Sequence, residues 1–115
     1  MAEAQSLSHL TADLAGIGSG VLRDAALLSG LLIASAGAAG LNAVGAPVVR
    51  IAPNGAVAAV LLLDPCHVSI HSFPQCGMAQ VDIFARDERA TAKALDVFLR
   101  RLAPVAVVTD TRNRG

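Results

Sequence analysis

The densest run of reactive side chains in the sequence is Cys66-His-Val-Ser-Ile-His71, and Ser72-Phe-Pro-Gln-Cys76 follows it. A thiol, a hydroxyl and two imidazoles are groups that nucleophilic and general acid–base catalysis use. Because side chains alternate between the two faces of a β-strand, His67, Ser69 and His71 would share one face. This segment is therefore the candidate site, although a polar strand face against solvent or a partner subunit would give the same pattern.

Two other chemistries fit this run less well. On a strand, His67 and His71 would lie about 13 Å apart at about 3.3 Å per residue. One tetrahedral zinc ion with Zn–N bonds of about 2.1 Å could not reach both, so we expect no metal. A thiolate enzyme with Cys66 as nucleophile and His71 as base is a further possibility. In a regular strand, however, residues 66 and 71 point to opposite faces.

The composition excludes several classes of function. Of the 115 residues 54% are hydrophobic, but there is no Trp or Tyr and only three Phe, so few rings could stack on bases. Nine basic residues balance nine acidic ones, and no net field favours nucleic acid.

The length fits a single domain over residues 1–115. Two cysteines without a disulfide framework, and no signal peptide, indicate a cytoplasmic protein.

No residue between Ala25 and Val49 is charged, and this stretch is long enough on paper to cross about 30 Å of hydrocarbon. Its second half, from Gly40 to Pro47, contains residues that break helices. A buried helix followed by a buried strand explains the same apolarity, so we expect no membrane-spanning segment. Another element or a second subunit would cover the apolar helix.

The spacing of apolar residues predicts an α+β fold. The expected order is β-α-β-β-β-α-β, which would form a mainly antiparallel sheet with two helices on one face, a two-layer sandwich. The expected elements include helices at residues 21–39 and 88–102, capped by Ser19 and Asp87, and strands at residues 41–51 and 105–108.

The central segment also resembles a known family. The run Asp64-Pro-Cys-His-Val-Ser-Ile-His-Ser-Phe-Pro-Gln-Cys-Gly-Met-Ala-Gln-Val-Asp-Ile-Phe84 is similar to the processing segment of bacterial S-adenosylmethionine decarboxylases. The family pattern is Glu-Ser-His-(Ile/Leu)-Ser-Ile-His-Thr-Trp-Pro-Glu, a Tyr-Gly stretch, then Val-Asp-(Val/Ile)-Phe. The resemblance extends to His9-Leu10 with Asp13, and to Ala94-Leu95 with Phe98-Leu99.

This resemblance implies a pyruvoyl-dependent enzyme that cleaves its own chain. In the family a serine hydroxyl attacks the preceding carbonyl, and elimination and hydrolysis leave a pyruvoyl group on the new amino terminus. That group accepts electrons while carbon dioxide leaves S-adenosylmethionine, and the product feeds spermidine synthesis. The family forms dimers with sites near the protomer interface, so a homodimer or a hetero-oligomer is expected.

Several family residues have matches in this chain. His71 matches the histidine that assists self-processing, while Ser69 and His67 match other positions of the same motif. The serine that becomes the pyruvoyl group falls on Cys66. A thiol is the better nucleophile, so cleavage between Pro65 and Cys66 would remain chemically feasible. The resemblance implies catalytic roles for Cys66, His71 and Ser69 and a substrate contact at His67.

Other family positions are replaced. The glutamate before the cleavage point falls on Pro65, which stiffens the turn. A helper serine or threonine falls on Ala58, which has no hydroxyl. The cysteine that protonates the decarboxylated product falls on Arg86, which cannot donate a proton. The motif's tryptophan and closing glutamate correspond to Phe73 and Gln75. Phe73 and Arg86 are expected to contact substrate.

Two hypotheses therefore stay open from the sequence. The chain is either an active pyruvoyl-dependent decarboxylase of S-adenosylmethionine or a related amino acid, with Cys66 as precursor, or an uncleaved paralogue. In the second case it would keep the fold and act as a binding or regulatory subunit.

Overall fold

A computed structural model describes residues 6–115 and contains a six-stranded sheet with helices packed on one of its faces. The strands are β1 Leu7–Ala15, β2 Val48–Ile51, β3 Val57–Leu62, β4 His67–Phe73, β5 Met78–Ala85 and β6 Ala106–Arg114. The helices are α1 Ser19–Leu22, α2 Ala25–Ala38 and α3 Glu88–Leu102.

The sheet has the order β2-β3-β4-β5-β1-β6, and every neighbouring pair is antiparallel. The expected α+β sandwich is therefore confirmed. The expected order was one strand short, because four strands separate α2 from α3. Three chain reversals, at residues 52–56, 63–66 and 74–77, divide this stretch into those four strands.

The first predicted helix is interrupted. Arg23 ends α1, and α2 begins after Asp24, whose carboxylate accepts a hydrogen bond from the backbone N–H of Leu27 at 3.0 Å. Such an N-cap satisfies an N–H that would otherwise lack a partner. The expected cap at Ser19 is wrong, because Ser19 is the first residue of α1 and the cap is Gly18. Within the described residues, no helix is long and apolar enough to cross a membrane.

The bounds of two strands also differ from expectation. The predicted strand over residues 41–51 is reduced to β2, since Pro47 has no N–H to donate and only an isolated bridge joins Ala43 to Leu63. The last strand is longer than residues 105–108. It runs to Arg114 and pairs with β1 along its whole length, although all its residues are exposed. An edge strand exposed on both faces carries no burial pattern to reveal it.

The core lies between the sheet and the helices. Helix α3 has a clean apolar face, and its cap at Asp87 is confirmed by a 2.8 Å hydrogen bond from the N–H of Ala90. Helix α2 presents its buried side to the sheet, while Ile33 on its outer side is 55% exposed. The largest fully buried side chains are Phe98, Leu14, Leu22, Leu28, Leu31, Leu32, Leu61, Ile70, Ile83, Val57, Val68 and Val81.

The other face of the sheet is not covered by any described element. We call it the open face. In register it carries one rung of Arg50, Ala58, His71, Gln80, Asp13 and Val108, and a second rung of Val48, Val60, Ser69, Asp82, Thr11 and Asp110. A third rung consists of Leu62, His67, Phe84, His9 and Arg112. The candidate site residues of β4 lie in the middle of this face.

One buried hydroxyl connects the two layers. The Oγ of Ser72 donates a 2.7 Å hydrogen bond to the carbonyl of Leu22 at the end of α1. It also accepts a 2.8 Å hydrogen bond from the N–H of Val57 at the start of β3. Ser72 is 2% exposed, so water cannot replace either bond.

We expect Ser72→Ala to lower the free energy of unfolding by about 2 kcal/mol, because it leaves a buried carbonyl and a buried N–H without partners. Urea denaturation at one fixed protein concentration measures this. Ser29→Ala on α2 is the matched control, with an expected change below about 0.5 kcal/mol for a partly exposed helical site. Equal unfolding midpoints for Ser72→Ala and Ser29→Ala would contradict the role of this hydroxyl.

Candidate active site on the open sheet face

The alternation of β4 divides its side chains between core and open face. Val68 and Ile70 are fully buried under the helices. His67, Ser69 and His71 point to the open face together, as the sequence pattern predicted. The same strand therefore contributes to the stability of the core and presents three polar side chains to a ligand or a partner.

His71 lies at the border of two shallow cavities on the open face. One, of about 300 Å³, is lined mainly by residues with polar side chains: Thr11, Asp13, Ser69, His71, Gln80, Val81 and Asp82. The other, of about 230 Å³, is lined by Val48, Arg50, Ala58, Ala59, Val60 and His71. The imidazole is therefore accessible from both sides, next to carboxylates on one and to an arginine on the other.

A carboxylate shared by two histidines was not found from the sequence. Asp82 on β5 lies between β1 and β4, and its Oδ1 is 2.9 Å from Nε2 of His9 and 3.2 Å from Nε2 of His67. Phe84 lies in register between the same two imidazoles, with ring centroids at 5.2 and 5.9 Å. We call these four residues the carboxylate clamp. The sequence signal for it was period-two alternation, which puts Asp82 and Phe84 on one face of β5.

Cys66 lies just before β4 and not within it. Its φ is 85°, a backbone conformation that L-residues rarely adopt, and its carbonyl accepts a 2.9 Å hydrogen bond from the N–H of Leu63. The rule that residues 66 and 71 of a regular strand point to opposite faces therefore does not apply directly to Cys66. Burial raises the pKa of the Cys66 thiol above its ordinary value, because a thiolate is poorly solvated there.

Arg86 follows β5 directly and contacts the end of α2. Its guanidinium donates to the carbonyl of Gly40 at 3.2 Å and to that of Ala39 at 3.4 Å, with Asp87 3.8 Å away. Carbonyls at a helix C-terminus carry partial negative charge, so a cation is favourable there. Its donors are partly engaged in the fold, and its expected contact with substrate stays a prediction.

The remaining predicted positions are spread along the sheet. Ala58 lies directly opposite His71 in the β3–β4 register, where a hydroxyl would adjoin the imidazole. Phe73, 42% exposed, ends β4 far from Cys66. His67, the residue after Cys66, and His71 are four strand residues apart, about 13 Å along β4. One protomer therefore does not bring the predicted precursor and the predicted processing histidine together.

Among the described residues, no group of three or more His, Cys, Asp or Glu side chains could hold a metal ion. The clamp contributes one carboxylate oxygen and two imidazoles that already donate to it. Its geometry fits hydrogen bonding between the strands.

The fold and the site together define the class to which this protein belongs. It is a two-layer α+β protein whose polar imidazole, hydroxyl and carboxylate side chains lie on the uncovered face of an antiparallel sheet, with a strained cysteine at the start of a central strand. A solved structure described as the adenosylmethionine decarboxylase from Aquifex aeolicus superposes with a TM-score of 0.88 and 26% identity, over 99% of this chain and 93% of that one.

Sequence comparison agrees with this likeness. The family described as S-adenosylmethionine decarboxylase matches residues 8–115. The chain is 29% identical over 108 residues to an S-adenosylmethionine decarboxylase proenzyme of Aquifex aeolicus, covering 93% of this chain and 79% of that protein. A proenzyme of the same name from Persephonella marina is 30% identical over the same length, with 93% and 80% covered. The chain therefore belongs to the S-adenosylmethionine decarboxylase family.

The burial of Cys66 predicts a pH dependence. The measurement uses uncleaved chain, which retains Cys66. Since burial raises the pKa of this thiol in the folded protein, its alkylation by iodoacetamide should reach the full rate at a higher pH in buffer than in urea, where the chain is unfolded. The contribution of the Cys66 thiol to the free energy of unfolding is fully present below the pKa of the unfolded state. It is lost as the pH rises through the pKa of the folded state. Peptide mapping at each pH gives both rates, with the exposed Cys76 as internal control. Identical pH profiles in buffer and in urea would contradict this assignment.

Proposed function

We propose that the chain is an S-adenosylmethionine decarboxylase precursor that cleaves itself between Pro65 and Cys66. The observation that carries the proposal is the position of Cys66, a half-buried thiol with a positive φ at the start of the central strand β4. Non-glycine residues in such conformations cluster at functional sites, where the surrounding structure holds the strain. The relatives' names describe those proteins as proenzymes, which supports a processed product here.

The chemistry of Cys66 balances without a further reagent except water. Its sulfur bonds to the Pro65 carbonyl carbon while the Pro65–Cys66 peptide bond breaks, which gives a thioester and a free amino group. Loss of the Cα proton of residue 66 then breaks its Cβ–S bond, and Pro65 leaves as a thiocarboxylate. Hydrolysis of the resulting enamine releases ammonia and leaves the pyruvoyl group on residue 66.

The residues of this chain fit a pyruvoyl group only in part. Cys66 has the β-leaving group that formation of a pyruvoyl group requires, and His71 and Ser69 face the open surface as hydrogen-bonding groups. When formed, the pyruvoyl group would supply the electron sink for decarboxylation. Ala58 offers no hydroxyl beside His71, and Arg86 cannot act as a general acid. The proton that replaces the carboxylate would therefore come from another group or from water.

The proposal includes a homodimer. His71 is too far along the extended strand to reach its own residue 66, whereas a second copy could supply its His71 if the two open faces stacked with opposed strands. The uncovered sheet face, which includes Val48, Val60 and Leu62 at one side, is the surface available for such stacking. The protein would then act in the cytoplasm, with S-adenosylmethionine or a related amino acid as substrate, in a route to spermidine.

A specific observation favours the second candidate, an uncleaved paralogue that acts as a binding or regulatory subunit. Arg86, at the position where the resemblance places a proton donor, binds the carbonyls of Ala39 and Gly40. Together with Ala58 and Pro65, this leaves three family positions without their usual chemistry. Such a subunit would form a hetero-oligomer with a complete relative through the same open face.

The mass of the purified chain under denaturing conditions separates the two candidates. Cleavage predicts fragments 1–65 and 66–115, with the second reacting with a hydrazine at its carbonyl. Fragment 1–65 should exceed its normal mass by the difference between sulfur and oxygen, because it ends in a thiocarboxylate. Cys66→Ser should also cleave, with a normal carboxylate, and Cys66→Ala should remain intact. A single full-length species of the wild type, also with a relative coexpressed, would contradict self-processing.

Coexpression of two uncleaved variants tests the dimer. We expect Cys66→Ala and His71→Ala chains to be intact when expressed alone. In the mixed dimer, the His71→Ala chain retains Cys66 and faces an intact His71 from its partner, so only this chain should be cut. Different affinity tags on the two chains identify the fragments by mass. If the His71→Ala chain stays uncut in an isolated mixed dimer, His71 does not act across the interface.

A further inference from the structure

We propose that Asp82 and His9 are positioning residues, which act through His67 on the backbone of residue 66. This inference rests on the proposed function, because it concerns how the cleavage point is held. The hydrogen bonds of Asp82 go to His9 and His67 and not to Cys66. Their effect would pass through His67, which is the next residue in the chain.

The clamp constrains His67 by hydrogen bonding. One oxygen of Asp82 lies within hydrogen-bond distance of Nε2 of both His9 and His67, so a proton on each Nε2 satisfies the carboxylate twice. The distance to His9 is the shorter of the two, at 2.9 Å, and this hydrogen bond joins Asp82 to the neighbouring strand β1. The hydrogen bond to His9 thus fixes the carboxylate from the β1 side, and the same carboxylate binds His67 on the β4 side.

The clamp also constrains His67 by packing. Phe84 lies between the two imidazoles in the same rung, tilted by 51° to one ring and 64° to the other. Aromatic rings that meet at an angle at these centroid distances interact favourably, beyond the area that they bury. The first side chain of β4 is therefore tied to β5 and, through β5, to β1.

Two contacts fix the backbone on the carbonyl side of residue 66. The Leu63 N–H donates to the Cys66 carbonyl, and the clamp holds His67, the residue that this carbonyl joins. The positive φ of Cys66 is an unfavourable conformation that persists only while its surroundings impose it. Loss of the clamp leaves the start of β4 free to relax, and the Pro65 carbonyl then no longer keeps its position relative to the thiol.

The test uses five full-length variants: the single variants His9→Ala, His9→Gln and Asp82→Ala, the double variant His9→Ala, Asp82→Ala, and the control Asp96→Asn. The amide of Gln can donate from nearly the same place as Nε2, so His9→Gln preserves the hydrogen bond and His9→Ala removes it. Asp96 lies on α3 and pairs with Arg100, away from the open face. The fraction of chain cut is followed over time in cell-free synthesis.

We expect cleavage about tenfold slower in His9→Ala and in Asp82→Ala, since a hydrogen bond to a charged group is lost. His9→Gln should recover to within about threefold of wild type, and Asp96→Asn should match it. The His9→Ala, Asp82→Ala double variant should be no slower than either single variant, because the residues act as one unit. Equal losses in His9→Gln and His9→Ala, or wild-type cleavage in His9→Ala, would overturn the inference.

A second readout keeps this test separate from the proposed function. If the wild type does not cleave at all, self-processing fails, but Cys66 is then present in every chain. Its rate of alkylation by iodoacetamide should rise about threefold in His9→Ala and Asp82→Ala, relative to Cys76 in the same chain, as the turn loosens. If the ratio of the Cys66 to the Cys76 alkylation rate is unchanged in uncleaved variants, the positioning role is rejected independently of the proposed cleavage.

Discussion

The alternation of side chains along β4 is the constraint on which the rest of the site depends. Val68 and Ile70 must face the helices to build the core, and this fixes His67, Ser69 and His71 on the open face. A shift of register by one residue would bury the histidines and expose the apolar pair. The stability of the fold and the placement of the polar groups are therefore specified by the same strand.

That constraint also explains why the polar groups of neighbouring strands converge. β5 and β1 obey the same alternation against the same helices, so Asp82 and His9 reach the open face beside His67. The carboxylate is partly exposed, at 36% of its side chain, and carries two imidazole partners. Partial exposure lowers the energetic cost of a charge there, and the hydrogen bonds fix its geometry.

Much of this arrangement could be predicted from local patterns. The faces of β4 and β5, helix α3 and its cap at Asp87 follow from periodicity and capping chemistry that neighbouring residues carry. The bond between His9 and Asp82 could not be predicted, because it depends on the register of strands 73 residues apart in sequence. The extent of β6 was equally hidden, since an exposed edge strand tolerates the polar residues of a tail.

The engagement of Arg86 separates family membership from catalysis. Its side chain satisfies the end of α2, so this position now contributes to the fold where the resemblance places a proton donor. The replacement therefore carries a structural benefit, and a reversion to cysteine would leave the Ala39 and Gly40 carbonyls to water. Cys66 differs from Arg86: its thiol is half-buried and its backbone has a φ of 85°, while its carbonyl accepts a hydrogen bond from Leu63. Strained non-glycine residues cluster at functional sites, so this conformation supports the proposal that places chemistry at residue 66.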